Sequence, residues 1–230
     1  MKQNDSAIVK YIFMAIALLE LVAHFFDFQE MRHYTKPLII PALMVYFKRS
    51  LKAELSLSFM LAFAALIFSW IGDVSLMYEH IKSLYFLIGL SSFAIALILY
   101  VFAFKKARYN DETVISIGSQ IAYILPFLVL GGFILWKLVP ASGDLAYPLI
   151  VYSIIMLGLV AASILRMDQT NQLSFNQVFF GAILFLLSDS LLAFNKFLMP
   201  MEQGNLFVML TYILAQWNII NGLLKHYNEQ

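Results

Sequence analysis

Long apolar stretches separated by short charged segments run through the whole of this chain. A helix needs about 20 apolar residues to cross the hydrocarbon core of a bilayer, and eight stretches approach or reach that length. They predict membrane-spanning helices at roughly 7–26, 34–48, 55–77, 81–104, 114–137, 145–166, 175–199 and 205–225. Because the connecting segments are short, we predict one integral membrane domain over residues 1–230, with an all-α fold and a polytopic transmembrane bundle of about eight helices.

The second stretch is the least regular of the eight. It begins at Lys36-Pro37, where proline fits a first helical turn, and Pro41 follows inside it. A kinked or re-entrant segment is therefore an alternative to a full crossing, and seven crossings would then remain. Pro126 and Gly131 predict a similar bend in the fifth stretch.

Composition excludes several classes of protein. Apolar residues make up 62% of the chain and charged residues 13%, with a mean hydropathy of +0.81. A soluble domain is about 45–50% apolar, and a chain this short cannot bury such an excess in one aqueous core. The net charge of +1 argues against nucleic acid as a partner. The absence of cysteine excludes disulfides, a thiolate nucleophile and a cysteine zinc site.

The distribution of basic residues predicts the orientation. Ten Lys and Arg residues lie on the side of the two termini and of the even-to-odd connections, against five on the opposite side. By the positive-inside rule, both termini are predicted to be cytoplasmic, in a bacterial cytoplasmic (inner) membrane. The first stretch contains Glu20 and lacks a small-residue cleavage pattern, so we do not expect it to be a cleaved signal.

The two halves of the chain share short similarities. The second stretch carries PLII at 37–40 and the sixth carries PLIV at 148–151, while Gly72-Asp73 in the third resembles Ser188-Asp189 in the seventh. A repeat of four plus four parallel helices is one interpretation, and chance similarity in an apolar sequence is the other.

Three acidic residues, Glu20, Asp73 and Asp189, lie well inside the predicted spans. A charged side chain at that depth costs about 2.5–3.5 kcal/mol on insertion scales, which makes each a candidate for function. The predicted depths of Asp73 and Asp189 differ by only roughly 6 Å, so both can face one cavity in the outer half of the membrane. Two carboxylates in such a cavity would divide into one neutral acid and one ionised base, as acid/base catalysis requires. The alternative is that each aspartate is a structural contact between helices.

Other polar residues surround the two aspartates. Lys196 lies seven residues after Asp189 on the same helical face, and Lys36 lies at the same outer end of the bundle. Either lysine can neutralise a substrate phosphate or simply extend to water. Tyr212 and Gln216 share a face of the last span, where they can bind a ligand or join neighbouring helices.

The sequence offers little support for other chemistry. Glu20, His24 and Asp27 are spaced along one helical face, which is a weak indication of a metal site. HExxH, GxSxG and glycine-rich phosphate motifs are absent from the sequence. We therefore expect carboxylate chemistry with no metal and no organic cofactor.

Four motifs, spread over most of the chain, stand in the order and spacing of a known family. They are KPL at 36–38, FSWIGDVSL at 68–76, GAILFLLSDSLLAF at 181–194 and YILAQ at 212–216. The chain resembles the YhhN family, a bacterial and animal family of lysoplasmalogenase-like membrane proteins, and the resemblance extends from Lys36 to Leu224.

The resemblance implies an eight-helix membrane fold and hydrolysis of the vinyl ether bond of lysoplasmalogens. The products would be a fatty aldehyde and glycerophosphoethanolamine or glycerophosphocholine. The sequence departs from the family in its fourth helix, where members often have F-x-x-x-H-x-x-Y. Here Phe93 and Tyr100 are present, but Leu97 stands at the histidine position.

Vinyl ethers hydrolyse through protonation of the β-carbon, and the resulting oxocarbenium ion is attacked by water. This chemistry needs an acid and a base, as glycoside hydrolysis does. We expect Asp73 and Asp189 to divide these roles, with a lysophospholipid substrate and surrounding membrane lipid as partners. The expected substrate-binding residues are Lys36 and Lys196 for the phosphate and Tyr100, Tyr212 and Gln216 for the ether or the water. A small proton-coupled lipid or solute transporter that uses the same carboxylates is the alternative function, and a non-catalytic scaffold is a third.

Overall fold

The described part of the chain is helical throughout. The computed structural model describes residues 2–109 and 116–229, which contain eight α-helices, two short 3₁₀ turns and no strand. The helices are α1 Lys2–Phe25, α2 Gln29–Ser50, α3 Leu57–Met77, α4 Ser83–Lys106, α5 Ile117–Leu138, α6 Ala146–Ile164, α7 Gln172–Phe197 and α8 Gly204–Glu229. Each predicted span corresponds to one of them, although positions 114 and 115 of the fifth span lie outside the described residues. The all-α prediction is confirmed.

Seven of the helices in the described ranges are long and apolar enough to cross a membrane. The exception is α2, which has a sufficient length of 22 residues but carries most of its polar side chains in its first two turns. The chain is therefore an integral membrane protein in which one helix, α2, differs in character from the others.

The prediction that Pro37 lies in a first helical turn is wrong, because α2 begins at Gln29 and continues through both Pro37 and Pro41. A proline inside a helix has no N–H to offer the carbonyl four residues earlier. For Pro41 that carbonyl belongs to Pro37, and the indole Nε1 of Trp70 on α3 donates to it over 2.9 Å. The neighbouring helix thus supplies the donor that the proline lacks.

Helices α1 and α2 form an antiparallel hairpin. The connection is very short, and Asp27 within it adopts a left-handed conformation with φ of +53°. Near the connection Thr35 donates a hydrogen bond to Glu20. Toward the other end, the rings of Phe13 and Tyr46 both stack on Trp217 of α8. Helix α2 therefore runs along α1 through the depth of the bundle rather than lying at one surface.

The hairpins α3–α4 and α7–α8 are closely packed through glycines. In the second hairpin, a Cβ at Gly222 would lie 2.7 Å from the side chain of Val178 and 2.9 Å from its backbone nitrogen. A Cβ at Gly181 would similarly lie 2.9 Å from the carbonyl oxygen of Ala215. The absence of side chains at these positions lets the two backbones approach, as in many membrane helix pairs.

Hydrogen bonds across the bundle fix the register between α3 and α8. Ser58 lies 2.6 Å from the Tyr227 hydroxyl, the Gln216 amide donates to Ser69 over 3.1 Å, and the Tyr212 hydroxyl donates to Asp73 over 2.8 Å. The pairs follow one antiparallel register from one end of the bundle to the other. They place Asp73 near the end that carries the α1–α2, α3–α4 and α7–α8 connections.

The opposite end carries the α2–α3 and α6–α7 connections and most of the basic residues. The backbone N–H of Lys52 donates to Asn228, and that of Tyr109 donates to the carbonyl of Gln169. Arg166 is fully buried here, where it donates to the carbonyl of Ala107 over 3.2 Å. Burial lowers the pKa of Arg166 to about 10, which leaves it charged at neutral pH. The grouping agrees with the predicted sides of the membrane, whose orientation stays a prediction.

Helix α5 is the most exposed element of the fold. Only Gly131 and Leu138 are buried in it, and it packs mainly against α6. The helix is continuous on both sides of Pro126, so this proline does not end it. Helix α5 therefore forms an outer wall rather than part of the central core.

Candidate active site

Two cavities meet inside the end of the bundle that holds Asp73. The first, which we call the polar chamber, has a volume of about 380 Å³ and is enclosed by side chains from α1, α2, α3, α7 and α8. Basic and acidic residues line it, and they include His24, Arg32, Lys36, Asp73 and Asp189. The predicted convergence of the two aspartates on one cavity is thus what the geometry shows.

The second cavity, which we call the apolar slot, has a volume of about 70 Å³ and lies between α4, α5, α6 and α7. Its walls are almost entirely hydrocarbon, with Leu90, Ile134 and Met156 as typical members. A Cβ at Gly131 would lie 3.0 Å from Leu157, so this glycine lets the side chain of Leu157 on α6 pack against α5. The lining of the slot suits an apolar ligand.

The chamber and the slot share part of their walls. Leu76, Phe93, Asp189 and Leu192 line both cavities. Asp73 lines only the polar chamber. The two cavities are therefore neighbours, and Asp189 is the carboxyl that lines both.

Asp73 is held by a chain of buried hydrogen bonds. The residue is 4% exposed, and its carboxylate accepts the Tyr212 hydroxyl. The amide of Gln216 lies 3.4 Å from the Tyr212 oxygen, and the Gln216 carbonyl accepts the hydroxyl of Tyr100 over 2.7 Å. Gln216 and Tyr100 are fully buried behind Tyr212, so they do not line either cavity. They can reach a ligand only by orienting Tyr212 and Asp73.

Asp189 has a different partner, the hydroxyl of Tyr152 on α6, which donates a hydrogen bond to its carboxylate. Asp189 and Asp73 are close enough for their charges to interact. The suggested repeat of four plus four helices is not confirmed by these contacts, because Asp73 pairs with α8 whereas Asp189 pairs with α6. Sequence reasoning missed Tyr152, since helical periodicity says which residues share a face but not which helix that face meets.

The two predicted lysines are in different environments. Lys36 lines the polar chamber and interacts electrostatically with Asp73. Lys196 lines the apolar slot, where its Nζ donates to Glu79 over 2.8 Å and lies 4.2 Å from the centre of the Phe86 ring. Lys196 is therefore already in an ion pair. Among the residues that the structure describes, no acceptor lies within hydrogen-bond distance of Lys36.

The Glu20, His24 and Asp27 face that the sequence indicated does not form. Helix α1 ends at Phe25, so Asp27 belongs to the connection and pairs with Arg32 over 3.1 Å. The Nε2 of His24 lies 3.2 Å from the Oε1 of Glu20, and neither atom has a hydrogen-bond partner among the described residues. In residues 2–109 and 116–229, no group of three or more His, Cys, Asp or Glu side chains is arranged to hold a metal ion.

Leu97 occupies a closed apolar environment. It is fully buried on α4, one turn before Tyr100, and belongs to the hydrophobic core. In this chain the position therefore contributes to packing and brings no polar group near the chamber.

The fold and the site together define an integral membrane protein with a charged chamber beside a narrow apolar slot. The chain belongs to the YhhN family, whose model matches residues 31–223. Two similar curated proteins carry the name lysoplasmalogenase TMEM86B. The one from Sus scrofa is 34% identical over 152 residues, which cover 66% of this chain and 58% of the relative. The one from Homo sapiens is 30% identical over 161 residues, which cover 70% of this chain and 62% of the relative.

The aligned region thus spans about three fifths of the length of these curated relatives. No solved structure matches this chain.

Proposed function

We propose that this protein is a membrane hydrolase that cleaves the vinyl ether bond of lysoplasmalogens. The observation that carries the proposal is that Asp189 lines both the apolar slot and the polar chamber. In a lysoplasmalogen, the vinyl ether lies between a long alkyl chain and a phosphate-bearing glycerol. A chain in the apolar slot and a head group in the polar chamber would bring the vinyl ether to Asp189. The names of the two relatives support the same activity.

We assign the acid to Asp189 and the base to Asp73 on the basis of their surroundings. Asp73 accepts the Tyr212 hydroxyl and lines the polar chamber together with Lys36, and a donor and a cation favour an ionised carboxylate. Asp189 also lines the apolar slot, and hydrocarbon surroundings favour the neutral form of a carboxyl.

The reaction then proceeds in two proton-balanced steps. The carboxylic acid of Asp189 gives its proton to the β-carbon of the vinyl ether, which leaves an oxocarbenium ion at the carbon next to oxygen. A water molecule bonds to that carbon while its proton passes to Asp73, and a hemiacetal forms. The hemiacetal hydroxyl then returns a proton to Asp189 as the bond to the glycerol oxygen breaks. Asp73 gives its proton to that oxygen, so the aldehyde and the alcohol leave and both carboxyls regain their starting states.

The other predicted residues have supporting roles in this scheme. Lys36 would bind the head-group phosphate, and Tyr212 would orient Asp73 and the attacking water. Gln216 and Tyr100 would hold Tyr212 from behind, as positioning residues. Lys196, which is paired with Glu79, would contribute at most to the rim of the slot.

The test is release of fatty aldehyde from a lysoplasmenylethanolamine by the purified protein. Asp189→Asn and Asp73→Asn should each lower the rate by about 100- to 10,000-fold, the range expected for loss of a general acid or base. Asp168→Asn, which removes the charge of an exposed loop aspartate, is the matched control and should retain the rate of the parent.

Two results would refute the proposal. One is the absence of turnover of any vinyl ether lysolipid by a folded protein, and the other is full turnover by both aspartate variants. Proton-dependent uptake of solute into liposomes, in a protein without hydrolysis, would instead establish the transporter alternative.

A further inference from the structure

The polar first half of α2 carries two cations that line the polar chamber. Arg32 and Lys36 are four residues apart, so they lie on one face of the helix. Lys36 already interacts with Asp73, which lies deeper in the chamber. Arg32 lies one turn closer to the α1–α2 connection. The cationic face of α2 therefore extends along the chamber from Asp73 toward the end of the bundle.

The guanidinium of Arg32 is held in place on two sides. Its Nη1 lies 3.2 Å from the Nδ1 of His24, and its Nη2 donates to the carboxylate of Asp27 over 3.1 Å. These contacts use two of the five N–H donors of an arginine side chain. Among the described residues, the remaining donors have no protein acceptor. They are available to a ligand in the chamber.

His24 lies against a buried carboxylate. An arginine only donates hydrogen bonds, so the Nδ1 of His24 accepts, and its proton resides on Nε2. That Nε2 lies 3.2 Å from the Oε1 of Glu20 without the alignment of a hydrogen bond. Glu20 is fully buried, and its other oxygen accepts the hydroxyl of Thr35. Glu20 therefore limits the space open to the imidazole, and the imidazole contacts Arg32.

We propose that Arg32 and Lys36 form the phosphate-binding site of the polar chamber, and that Glu20 and His24 are positioning residues for Arg32. The inference rests on the proposed function and extends it, because it names the group that selects phosphate-bearing lysolipids. The planar fork of a guanidinium matches two oxygens of a phosphodiester, and its charge offsets that of the phosphate. Only a glycerol backbone separates the ether oxygen from the phosphate, so a substrate whose ether lies at Asp189 carries its phosphate in the same chamber.

The experiment compares two substrates that differ only in the phosphate. One is a lysoplasmenylethanolamine, and the other is a 1-alkenylglycerol with the same chain. Arg32→Gln should lower kcat/KM for the phosphate-bearing substrate by about 10- to 100-fold more than for the phosphate-free one, mainly through KM. Arg32→Lys keeps the charge without the fork and should restore only part of the preference.

The positioning role of His24 has its own readout. His24→Gln should raise KM for the phosphate-bearing substrate several-fold while kcat stays near that of the parent. Lys82→Gln, which removes an exposed lysine outside the chamber at the same end of the bundle, is the matched control. An equal loss on both substrates, or no loss, in Arg32→Gln would overturn the inference.

A binding measurement separates this inference from the proposed hydrolysis. In the Asp189→Asn background, binding of an ester lysophosphatidylethanolamine is compared with binding of the corresponding monoacylglycerol. Preference for the phosphate that disappears with Arg32→Gln supports the site even if no vinyl ether is ever cleaved. Hydrolysis without any preference for phosphate refutes the site and leaves the proposed function intact.

Inorganic phosphate and glycerophosphoethanolamine distinguish a lipid site from a general phosphate site. Competition by glycerophosphoethanolamine at concentrations where inorganic phosphate has no effect supports a lipid head-group site. Equal competition by the two compounds against the lysolipid would overturn the assignment to a lipid head group. In either case, a true competitor must lose its effect in Arg32→Gln.

Discussion

The hydrogen bond from Tyr212 to Asp73 makes a quantitative prediction about pH dependence. Tyr212→Phe removes a donor that lies 2.8 Å from the carboxylate, and little else. A hydrogen bond to a charged group contributes about 1.5–3 kcal/mol, and about 1.36 kcal/mol moves a titration midpoint by one pH unit. Without this donor the ionised form of Asp73 loses support, so the base becomes available only at higher pH. The acidic limb of the kcat/KM profile should move up by about one to two pH units.

The opposite limb tests Asp189 in the same way. Tyr152→Phe removes the hydroxyl that donates to Asp189, so this residue should keep its proton to higher pH. The alkaline limb should then move up, and the active range should widen, whereas Tyr212→Phe narrows it. Tyr147→Phe removes an exposed tyrosine hydroxyl from the same helix as Tyr152 and should leave both limbs unchanged.

The assay is aldehyde release at substrate concentrations well below KM, measured across the pH range in which the protein stays folded. An alkaline limb that moves in Tyr212→Phe, with an acidic limb that does not, would show that the two aspartates have exchanged roles. Two profiles identical to that of the parent would refute the view that these tyrosines act on the reacting carboxyls.

Three further predictions concern the slot, the packing and the orientation. Gly131→Leu should narrow the apolar slot and lower kcat/KM for long-chain substrates by about 10-fold relative to short-chain ones. Gly132→Leu, which has open space around it, is the control and should not do so. An equal loss in both variants would refute the slot as the site for the chain. Gly222→Ala should lower the free energy of unfolding by about 1–3 kcal/mol, which is measured as a lower melting temperature in detergent. Gly158→Ala, at a position with open space, is the control and should not lower it. Equal melting temperatures of the two variants would contradict the close α7–α8 packing. A Lys52→Cys variant of this cysteine-free chain should react with an impermeant maleimide only after the membrane is opened, and labelling of intact cells would reverse the predicted orientation.

The helices could be predicted because the signal that defines them is local. Apolar length alone indicates all eight helices, although it starts the second one at 34 instead of Gln29, and the rarity of charge in such stretches singles out Asp73 and Asp189. What could not be predicted depends on neighbours in space. Pro41 is tolerated inside α2 because Trp70 donates to the Pro37 carbonyl, and no feature of α2 itself announces that donor.

The residues of the candidate site were predicted correctly where the signal was local and were missed where it depended on neighbours in space. Lys36 was identified because it precedes a recognisable motif, and it does line the chamber. Arg32 was overlooked because the apolar pattern had placed it in a connection, whereas it lies on the second helix. Lys196 was identified from its spacing to Asp189, but spacing on one helix could not show that Glu79 already neutralises it.

The exposed position of α5 has a consequence for how material passes through the protein. This helix is the outer wall of the slot and is attached mainly to α6, so one exposed helix separates the slot from the surrounding acyl chains on that side. In the proposed reaction, a lysolipid would bring its tail sideways from the bilayer past this helix without first dissolving in water. The two proposed products would then leave by different routes: the aldehyde would return to the lipid past α5, and the glycerophospho-alcohol would leave through the polar chamber.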